Sequence, residues 1–242
     1  MAKKEEYLAR QVFTPTMPAL VNFVPRAASL NNRLVYALQT PGTQIVIFGH
    51  TGSGKTTLLI NKLHQIYERH ITTRCYEGMN FDQLLVNAFD ELDAFYNAEA
   101  VQSNKLQVSA SLQAQFLSIK SQIDTQRSNE LQTKLQRVVP AQVSPHALAT
   151  FLGSAHCCWV LEDFHKIKEE EKTKLSQVVK MFADKSFEFN ELKIVAVGAV
   201  ETGHQVVKHD REMQNRVAEI EVPLMDDDEI RAIILVHLSN KA

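Results

Sequence analysis

The chain has 242 residues, of which 45% are hydrophobic and 22% are charged. This is an ordinary composition for a soluble globular protein, and the length is sufficient for one α/β domain with a substantial core. The formal net charge of −2 gives no overall electrostatic reason to expect a nucleic-acid partner, although a local basic patch would still allow DNA binding. No apolar run approaches the roughly 20 residues that span a bilayer, so we expect no membrane partner.

The cysteines and the amino terminus bear on the cellular compartment. Cys157 and Cys158 are adjacent in an apolar stretch, Cys75 is isolated, and there is no CxxC motif. This pattern is typical of buried thiols in a reducing compartment rather than of disulfides or a zinc site. Residues 1–10 are charged and lack the apolar core of a secretory signal. We therefore expect a cytoplasmic protein.

The first predicted elements alternate between apolar strands and amphipathic helices. Pro15 and Pro18 oppose a long helix, so residues 1–24 are predicted to form an extended arm. Hydrophobic periodicity then predicts a helix at 27–38, a strand at 44–48, a helix from 55 to about 69, a strand at 72–77 and a helix at 81–96.

Residues 101–140 differ in composition from the preceding segments and are predicted to be an insertion. They are rich in Gln and Ser, and apolar residues alternate with polar ones between Leu106 and Leu112. This period of two predicts a half-buried strand, in a hairpin with residues 116–119. Residues 128–138 are predicted to form a short amphipathic helix. The block is either a partner-binding surface or a flexible surface excursion.

Strands and helices alternate again after residue 144. Ser144 followed by Pro145 is typical of a helix start, because Ser caps the first N–H groups and Pro fits the first helical position. The elements predicted after this helix are a strand at 157–161, a helix at 169–182, a strand at 192–197, a short helix at 213–217, a strand at 218–222 and a final helix from about 227 to 238. Apolar strands that alternate with helices imply a mainly parallel sheet covered on both faces, which is a three-layer α/β/α sandwich.

A glycine-rich turn follows the first strand. Residues 49–56 read GHTGSGKT and match the pattern G-x-x-x-x-G-K-[ST], between an apolar strand and a helix. Glycines allow successive backbone N–H groups to point inward around an anion, and the helix start favours phosphate at the same place. Lys55 is predicted to reach the β- and γ-phosphates, and the Thr56 hydroxyl to bind Mg²⁺. The predicted nucleotide-binding residues of this P-loop are Gly49, His50, Thr51, Gly52, Ser53, Gly54, Lys55, Thr56 and Thr57.

Two acidic residues follow the strand at 157–161. In P-loop proteins, the strand that ends beside the P-loop carries an acidic residue that holds Mg²⁺ and often a neighbour that orients the attacking water. Glu162 is therefore assigned to the metal, together with Thr56, and Asp163 to the water. The usual order is Asp followed by Glu or Asp, so the two roles could also be exchanged. The carboxyl ends of parallel strands form the ligand crevice of such folds, which supports this placement.

Further motifs occur in a characteristic order around the P-loop and the acidic pair. They are Val24-Pro25-Arg26 before a helix, Leu161-Glu162-Asp163-Phe164-His165, the strand-G-x-x-E segment at 195–201, and Asn215-Arg216-Val217 followed by residues 219–224. With these motifs, residues 20–238 resemble AAA+ ATPases of the branch that contains origin-recognition/Cdc6-type initiators, transposition and secretion ATPases, and STAND signalling NTPases. Pro25 and Ala27 depart from the Gly and Glu of the family's N-terminal box.

The resemblance implies roles for residues outside the P-loop. Arg26 would lie near the adenine and join the nucleotide-binding residues, and Glu201 or Thr202 would sense the γ-phosphate. Arg216, or alternatively Arg211, would act as an arginine finger on the γ-phosphate of a neighbouring subunit, a contact worth about 10³–10⁵ in rate in phosphoryl transfer. The organisation predicted from the resemblance is an arm at 1–24, an AAA+-like core at 25–225 with an insertion at about 101–140, and a terminal helix at 226–242. Little or no helical lid is expected in this chain.

Three functions follow from these motifs. The first is a Mg²⁺-dependent ATPase whose nucleotide state controls homo-oligomerisation or a partner effector, as in anti-phage defence signalling. The second is a DNA-associated ATPase of replication initiation or transposition, which the absence of a basic tail disfavours. The third is an ATP-binding scaffold subunit without turnover. A small-molecule kinase is less favoured because no arginine-rich lid is evident, and the absence of the guanine-specific N/T-K-x-D motif favours ATP.

Overall fold

A computed structural model describes residues 23–67, 69–96, 110–130, 143–199 and 211–239 of the chain. The helices are α1 (Ala28–Gln39), α2 (Lys55–Ile66), α3 (Phe81–Tyr96), α4 (Ala110–Glu130), α5 (Pro145–Ser154), α6 (Glu169–Lys185) and α7 (Asp227–Ser239). The strands are β1 (Gln44–Phe48), β2 (Arg69–Arg74), β3 (Cys157–Glu162), β4 (Ile194–Gly198) and β5 (Val217–Glu221). Two short 3₁₀ helices lie at Phe164–Lys166 and Arg211–Asn215.

The five strands form one parallel sheet in the order β2-β3-β4-β1-β5. Ile45 of β1 lies between Val195 of β4 and Ala218 of β5, so β1 is flanked on both sides. The β4 strand is buried along its whole length, as expected for a parallel strand with both faces covered. The predicted mainly parallel α/β sheet is confirmed.

Helices cover both faces of the sheet and bury a separate apolar cluster on each. On one face, α1 and α2 contribute Leu34, Leu38 and Leu59 to a cluster with Ile47. On the other face, helices α3 to α6 build the larger cluster around Trp159. This is the predicted α/β/α sandwich, and it leaves the carboxyl edge of the sheet as the place where loops from several strands converge.

The predicted hairpin in the insertion is wrong within the described residues, because residues 110–130 form the helix α4. Phe116, Ile119 and Ile123 are buried at helical spacing, and Phe116 lies against Phe89 and Phe151 with ring centroids 6.2 and 5.3 Å away. The alternation that suggested a strand ends at Leu112, and the apolar spacing of three and four residues beyond it determines the structure. Residues 101–109, and the helix predicted at 128–138 apart from residues 128–130 that end α4, lie outside the described residues.

Some predicted boundaries shift by a few residues. Strand β2 begins at Arg69 and ends at Arg74, whereas the prediction placed it at 72–77. Its register is determined by pairing with β3 and by a hydrogen bond of 2.9 Å from the Trp159 indole N–H to the Thr73 hydroxyl. The helix predicted at 213–217 is instead the 3₁₀ helix that precedes β5.

The three cysteines are free and buried, as predicted. Burial raises the pKa of both Cys75 and Cys157 to about 12, so these thiols stay protonated at neutral pH. Within the described ranges, no helix is both long and apolar enough to cross a membrane.

The packing of α4 leads to a stability prediction. Phe116→Ala should lower the free energy of unfolding by about 3–5 kcal/mol, because it leaves a cavity between two other aromatic rings. Leu117→Ala is the matched control on the same helix, since Leu117 is 43% exposed, and it should change stability by less than about 1 kcal/mol. Urea unfolding measures both, and equal effects would contradict the helical packing.

Candidate nucleotide-binding site

The P-loop lies at the carboxyl end of β1 and is packed closely against the chain that leaves β5. A Cβ atom at Gly49 would lie 2.2 Å from the carbonyl oxygen of Val222, and Gly49 has φ +153°. Val222 in turn donates its N–H to the Phe48 carbonyl at 2.8 Å. Only glycine fits this approach, so packing alone requires the first glycine of the motif.

The amino terminus of α2 opens without a side-chain cap. Gly54, in the left-handed region at φ 83°, is its N-cap residue, and no side chain caps the helix. The first intrahelical bond runs from the Leu58 N–H to the Gly54 carbonyl at 2.9 Å. The N–H groups of the three residues between them therefore have no helical acceptor. They form, with the helix dipole, a site for an anion.

Lys55 lies folded over the same loop. Its Nζ donates to the carbonyls of Gly49 and His50 at 2.9 and 2.7 Å. Burial lowers the pKa of Lys55 from its ordinary value, and the Asp163 carboxylate partly offsets this effect. A polyanion beside the ammonium would favour its charged form, so Lys55 is placed to exchange loop carbonyls for phosphate oxygens.

Each of the two acidic residues at the carboxyl end of β3 is paired with a basic side chain. Glu162 accepts a hydrogen bond of 3.3 Å from Arg74, which is the residue in register with it at the end of β2. Asp163 has φ 56°, a left-handed conformation that is uncommon for a residue other than glycine, and its Oδ2 lies 2.7 Å from the Nζ of Lys166. The turn therefore separates the two carboxylates onto different basic partners.

The P-loop and the acidic pair line one open cleft of about 810 Å³. Of the predicted site residues, the cleft is lined by Thr51, Gly52, Gly54, Lys55, Thr56, Thr57, Glu162 and Asp163. The carboxyl end of β4 adds Val197, Gly198 and Ala199 to the same wall. The tertiary structure thus brings together segments more than a hundred residues apart, at the edge where parallel strands bind ligands.

The donors in this cleft suit Mg²⁺. Thr56, which carries a hydroxyl, and Glu162, which carries a carboxylate, both line it, and Mg²⁺ prefers oxygen ligands. Among the described residues no group of three or more His, Cys, Asp or Glu side chains could hold a metal. Mg²⁺ at phosphate sites needs only one or two protein ligands, because phosphate and water oxygens complete its shell.

Arg26 and Arg216 lie outside the cleft lining. Arg26 is buried beside the P-loop, where it donates to the Ser53 carbonyl at 2.7 Å. Arg216 precedes β5 at the amino edge of the sheet, where its carbonyl accepts the Gln44 N–H and its guanidinium is paired with Asp184. Direct nucleotide contact by Arg26 and the finger role of Arg216 stay predictions. Residues 201 and 202 lie outside the described residues, and the side chain of Arg211 is not described.

The sequence analysis missed two basic residues of the cleft, Arg74 and Lys166. Arg74 lies at the carboxyl end of β2, and the placement of this strand three residues too late hid its position at the ligand edge. Lys166 lies on the 3₁₀ helix after Asp163, where an i, i+3 spacing to an acid would have indicated the pair. His165, the last residue of the motif at 161–165, also lines the cleft.

Comparison with known proteins supports the fold. No protein-family model matches the chain, and no curated protein matches it in sequence. Among solved structures, Cdc6p from Pyrobaculum aerophilum is similar with a TM-score of 0.53 and 13% identity, over 96% of this chain and 54% of that one. The ORC2 protein of Aeropyrum pernix in its ADP form is similar with a TM-score of 0.54 and 12% identity, over 95% of this chain and 56% of that one.

The fold of this chain is similar to the fold of Cdc6p and of the ORC2 protein. This agrees with the resemblance drawn from the motifs. The chain spans a little over half the length of these two proteins. At 12–13% identity the likeness is one of fold, and it carries no substrate or partner to this chain.

The close approach at Gly49 leads to a prediction for the site. Gly49→Ala should destabilise the protein through the unfavourable φ, by about 1–3 kcal/mol, and through overlap with the Val222 carbonyl, by about 1–3 kcal/mol more. Gly78→Ala is the matched control, because Gly78 has φ +84° with no atom within 4 Å of the added Cβ. Thermal or urea unfolding should show a larger loss for Gly49→Ala, and an equal loss would argue against the packing of the loop on Val222.

Proposed function

We propose that this protein binds and hydrolyses ATP with Mg²⁺. The observation that carries the proposal is a single cleft in which uncapped backbone N–H groups at the start of α2 lie across from an acidic pair at the carboxyl end of the buried strand β3. Phosphoryl transfer relies on positioning and electrostatic stabilisation, and the N–H groups and the acidic pair are the groups that would supply them. The absence of the guanine-specific motif supports adenine.

Each predicted residue has a distinct task in this proposal. The backbone N–H groups at the start of α2 and the Lys55 ammonium would bind the phosphates and stabilise negative charge on them. The Thr56 hydroxyl and the Glu162 carboxylate would hold the metal ion, which when bound neutralises charge on the phosphate oxygens. Asp163 would orient the attacking water. Because Glu162 and Asp163 are ion-paired with Arg74 and Lys166, each carboxylate must exchange its basic partner to act.

This pairing also favours a second candidate, which is ATP binding without turnover. If Asp163 stays bound to Lys166 when nucleotide is present, no carboxylate remains to orient water. ATP would then act as a structural ligand of a scaffold subunit. The two candidates share the P-loop and differ in what Asp163 does.

Nucleotide state is proposed to control homo-oligomerisation or a partner effector. The placement of Arg216 supports this, because it lies at the amino edge of the sheet, opposite the cleft of its own chain. If Arg216 acts as a finger, it would act on the site of another subunit, and Asp184 would hold it until assembly. Whether the output is anti-phage defence signalling or DNA-associated work stays a prediction. Tight ATP-dependent retention of duplex DNA on a filter would favour the latter.

A pair of substitutions separates binding from turnover. Lys55→Ala should abolish ATP binding, since the loop loses its only cation for the β- and γ-phosphates. Asp163→Asn should keep ATP binding and lower the hydrolysis rate at least about 100-fold, as expected for the loss of a positioned catalytic group. Calorimetry with a non-hydrolysable analogue and phosphate release measure the two effects. Lys174→Ala, on an exposed residue paired with Glu171, is the control, and unchanged turnover in Asp163→Asn would contradict the assigned role.

Activity should also depend on protein concentration. If Arg216 completes the site of a neighbour, phosphate release per subunit should fall on dilution, and Arg216→Ala should lower it at high concentration by about 10³-fold or more. An Arg216→Ala subunit should retain its own cleft, so mixing it with Lys55→Ala should restore partial activity. Constant activity per subunit across a wide dilution series would exclude shared sites.

A further inference from the structure

Arg26 is the centre of a buried polar cluster that joins three parts of the chain. It is 6% exposed, although it is permanently charged. Its guanidinium donates to the Ser53 carbonyl at 2.7 Å, to the Pro223 carbonyl at 2.9 Å and to Glu229 at 3.0 Å. The P-loop, the chain after β5 and the first turn of α7 therefore share one side chain. A lysine ammonium cannot replace the planar guanidinium here, because it does not present donors to all of these acceptors in the same arrangement.

The bond to Ser53 acts on the phosphate cradle through the peptide that follows. A trans peptide is planar, and its C=O and N–H groups point in opposite directions. Because Arg26 holds the Ser53 carbonyl on its own side, the Gly54 N–H points away from Arg26. Gly54 lines the cleft and caps α2. The Ser53 hydroxyl is buried and has no partner among the described residues, so Arg26 supplies the described side-chain hydrogen bond that holds this peptide.

Glu229 connects this arrangement to α7. Its Oε1 accepts from Arg26 and from the Ala27 N–H at 3.2 Å. Its Oε2 accepts from the Asp226 N–H at 3.3 Å, and Asp226 Oδ1 accepts from the Glu229 N–H at 2.8 Å. This is a capping box at the start of α7. One carboxylate therefore fixes the first turn of α7 and orients the arginine that orients the P-loop.

We infer that Arg26 is a positioning residue for phosphate binding, and that its contact with Glu229 makes phosphate binding and the docking of α7 favour each other. The inference rests on the nucleotide binding proposed above and adds the regulation of that site. A coupling between two sites is reciprocal, so nucleotide must secure α7 by the same factor by which docked α7 tightens nucleotide binding. Residues 227–239 are therefore the segment whose docking responds when nucleotide binds to the P-loop.

The test measures both directions of this coupling. Glu229→Gln removes the charge that holds Arg26, and Asp228→Asn is the matched control in the same helical turn, since the Asp228 side chain is 92% exposed and is paired only with Arg231 among the described contacts. Affinity for Mg-ATPγS is measured by calorimetry. Amide hydrogen exchange of residues 227–239 is measured with and without Mg-ATPγS.

In the wild type and in Asp228→Asn, Mg-ATPγS should bind equally well and should slow exchange of residues 227–239. In Glu229→Gln, affinity should fall about 5- to 100-fold and the nucleotide should no longer slow exchange, in line with typical coupling. Arg26→Lys keeps the charge but cannot reach all acceptors, and it should show the same double loss. Arg33→Gln is its control, because Arg33 lies on α1 and donates to the Glu219 carbonyl away from the P-loop.

The outcomes distinguish the inference from the proposed function. If Glu229→Gln binds Mg-ATPγS as tightly as the wild type, or if nucleotide leaves exchange of residues 227–239 unchanged in the wild type, the coupling is wrong while nucleotide binding stands. If the wild type does not bind Mg-ATPγS, both are wrong. Thermal unfolding of each variant without nucleotide shows whether it is folded. A Glu229→Gln or Arg26→Lys variant that is less stable but retains the nucleotide effect on α7 also overturns the inference.

Discussion

The site depends on keeping a set of backbone N–H groups without internal partners while holding them in a rigid position. Unpaired amides inside a protein are unfavourable, so they persist only where the surrounding structure determines the backbone. At the start of α2 this is done by two close approaches. Gly49 is packed on the Val222 carbonyl, and Ser53 is held by Arg26. Val222 follows β5 directly, and Arg26 also donates to the carbonyl of Pro223. The chain that leaves β5 therefore supports the P-loop.

The acidic side of the cleft has a different physical character. Glu162 is largely buried, at 14% exposure, whereas its partner Arg74 is 79% exposed. Ion pairs with such an exposed arm are weak and exchange readily. The same holds for Lys166 with Asp163, whose side chains are both well exposed. The carboxylates therefore have positions determined by β3 and basic partners that can leave, which suits the proposed site, since that site would have to accept a polyanion and a metal.

The likeness to the Cdc6 and ORC structures concerns the fold and does not assign a function to this chain. Several expectations stay predictions for that reason: the boundaries of the arm and of the terminal helix, the cytoplasmic location, the oligomer and the partner. The insertion now has a structural part to play, because α4 closes the larger core over Phe89 and Phe151. It is therefore not a simple surface excursion over residues 110–130.

Most of what the sequence determined by itself follows from local patterns of residues. The GHTGSGKT turn, the apolar run before Glu162 and the helical spacing of α3 and α6 depend on neighbouring residues, so the fold class and the two halves of the cleft were predictable. Tertiary structure alone decided the rest. Arg74 joins the site because β2 pairs in register with β3. Residues 110–130 form a helix because this places Phe116 in the core. Arg26 contacts Glu229 although the two residues are about two hundred positions apart in the chain. Contacts between distant segments have no local signature, because they depend on packing that exists only after the sheet has formed.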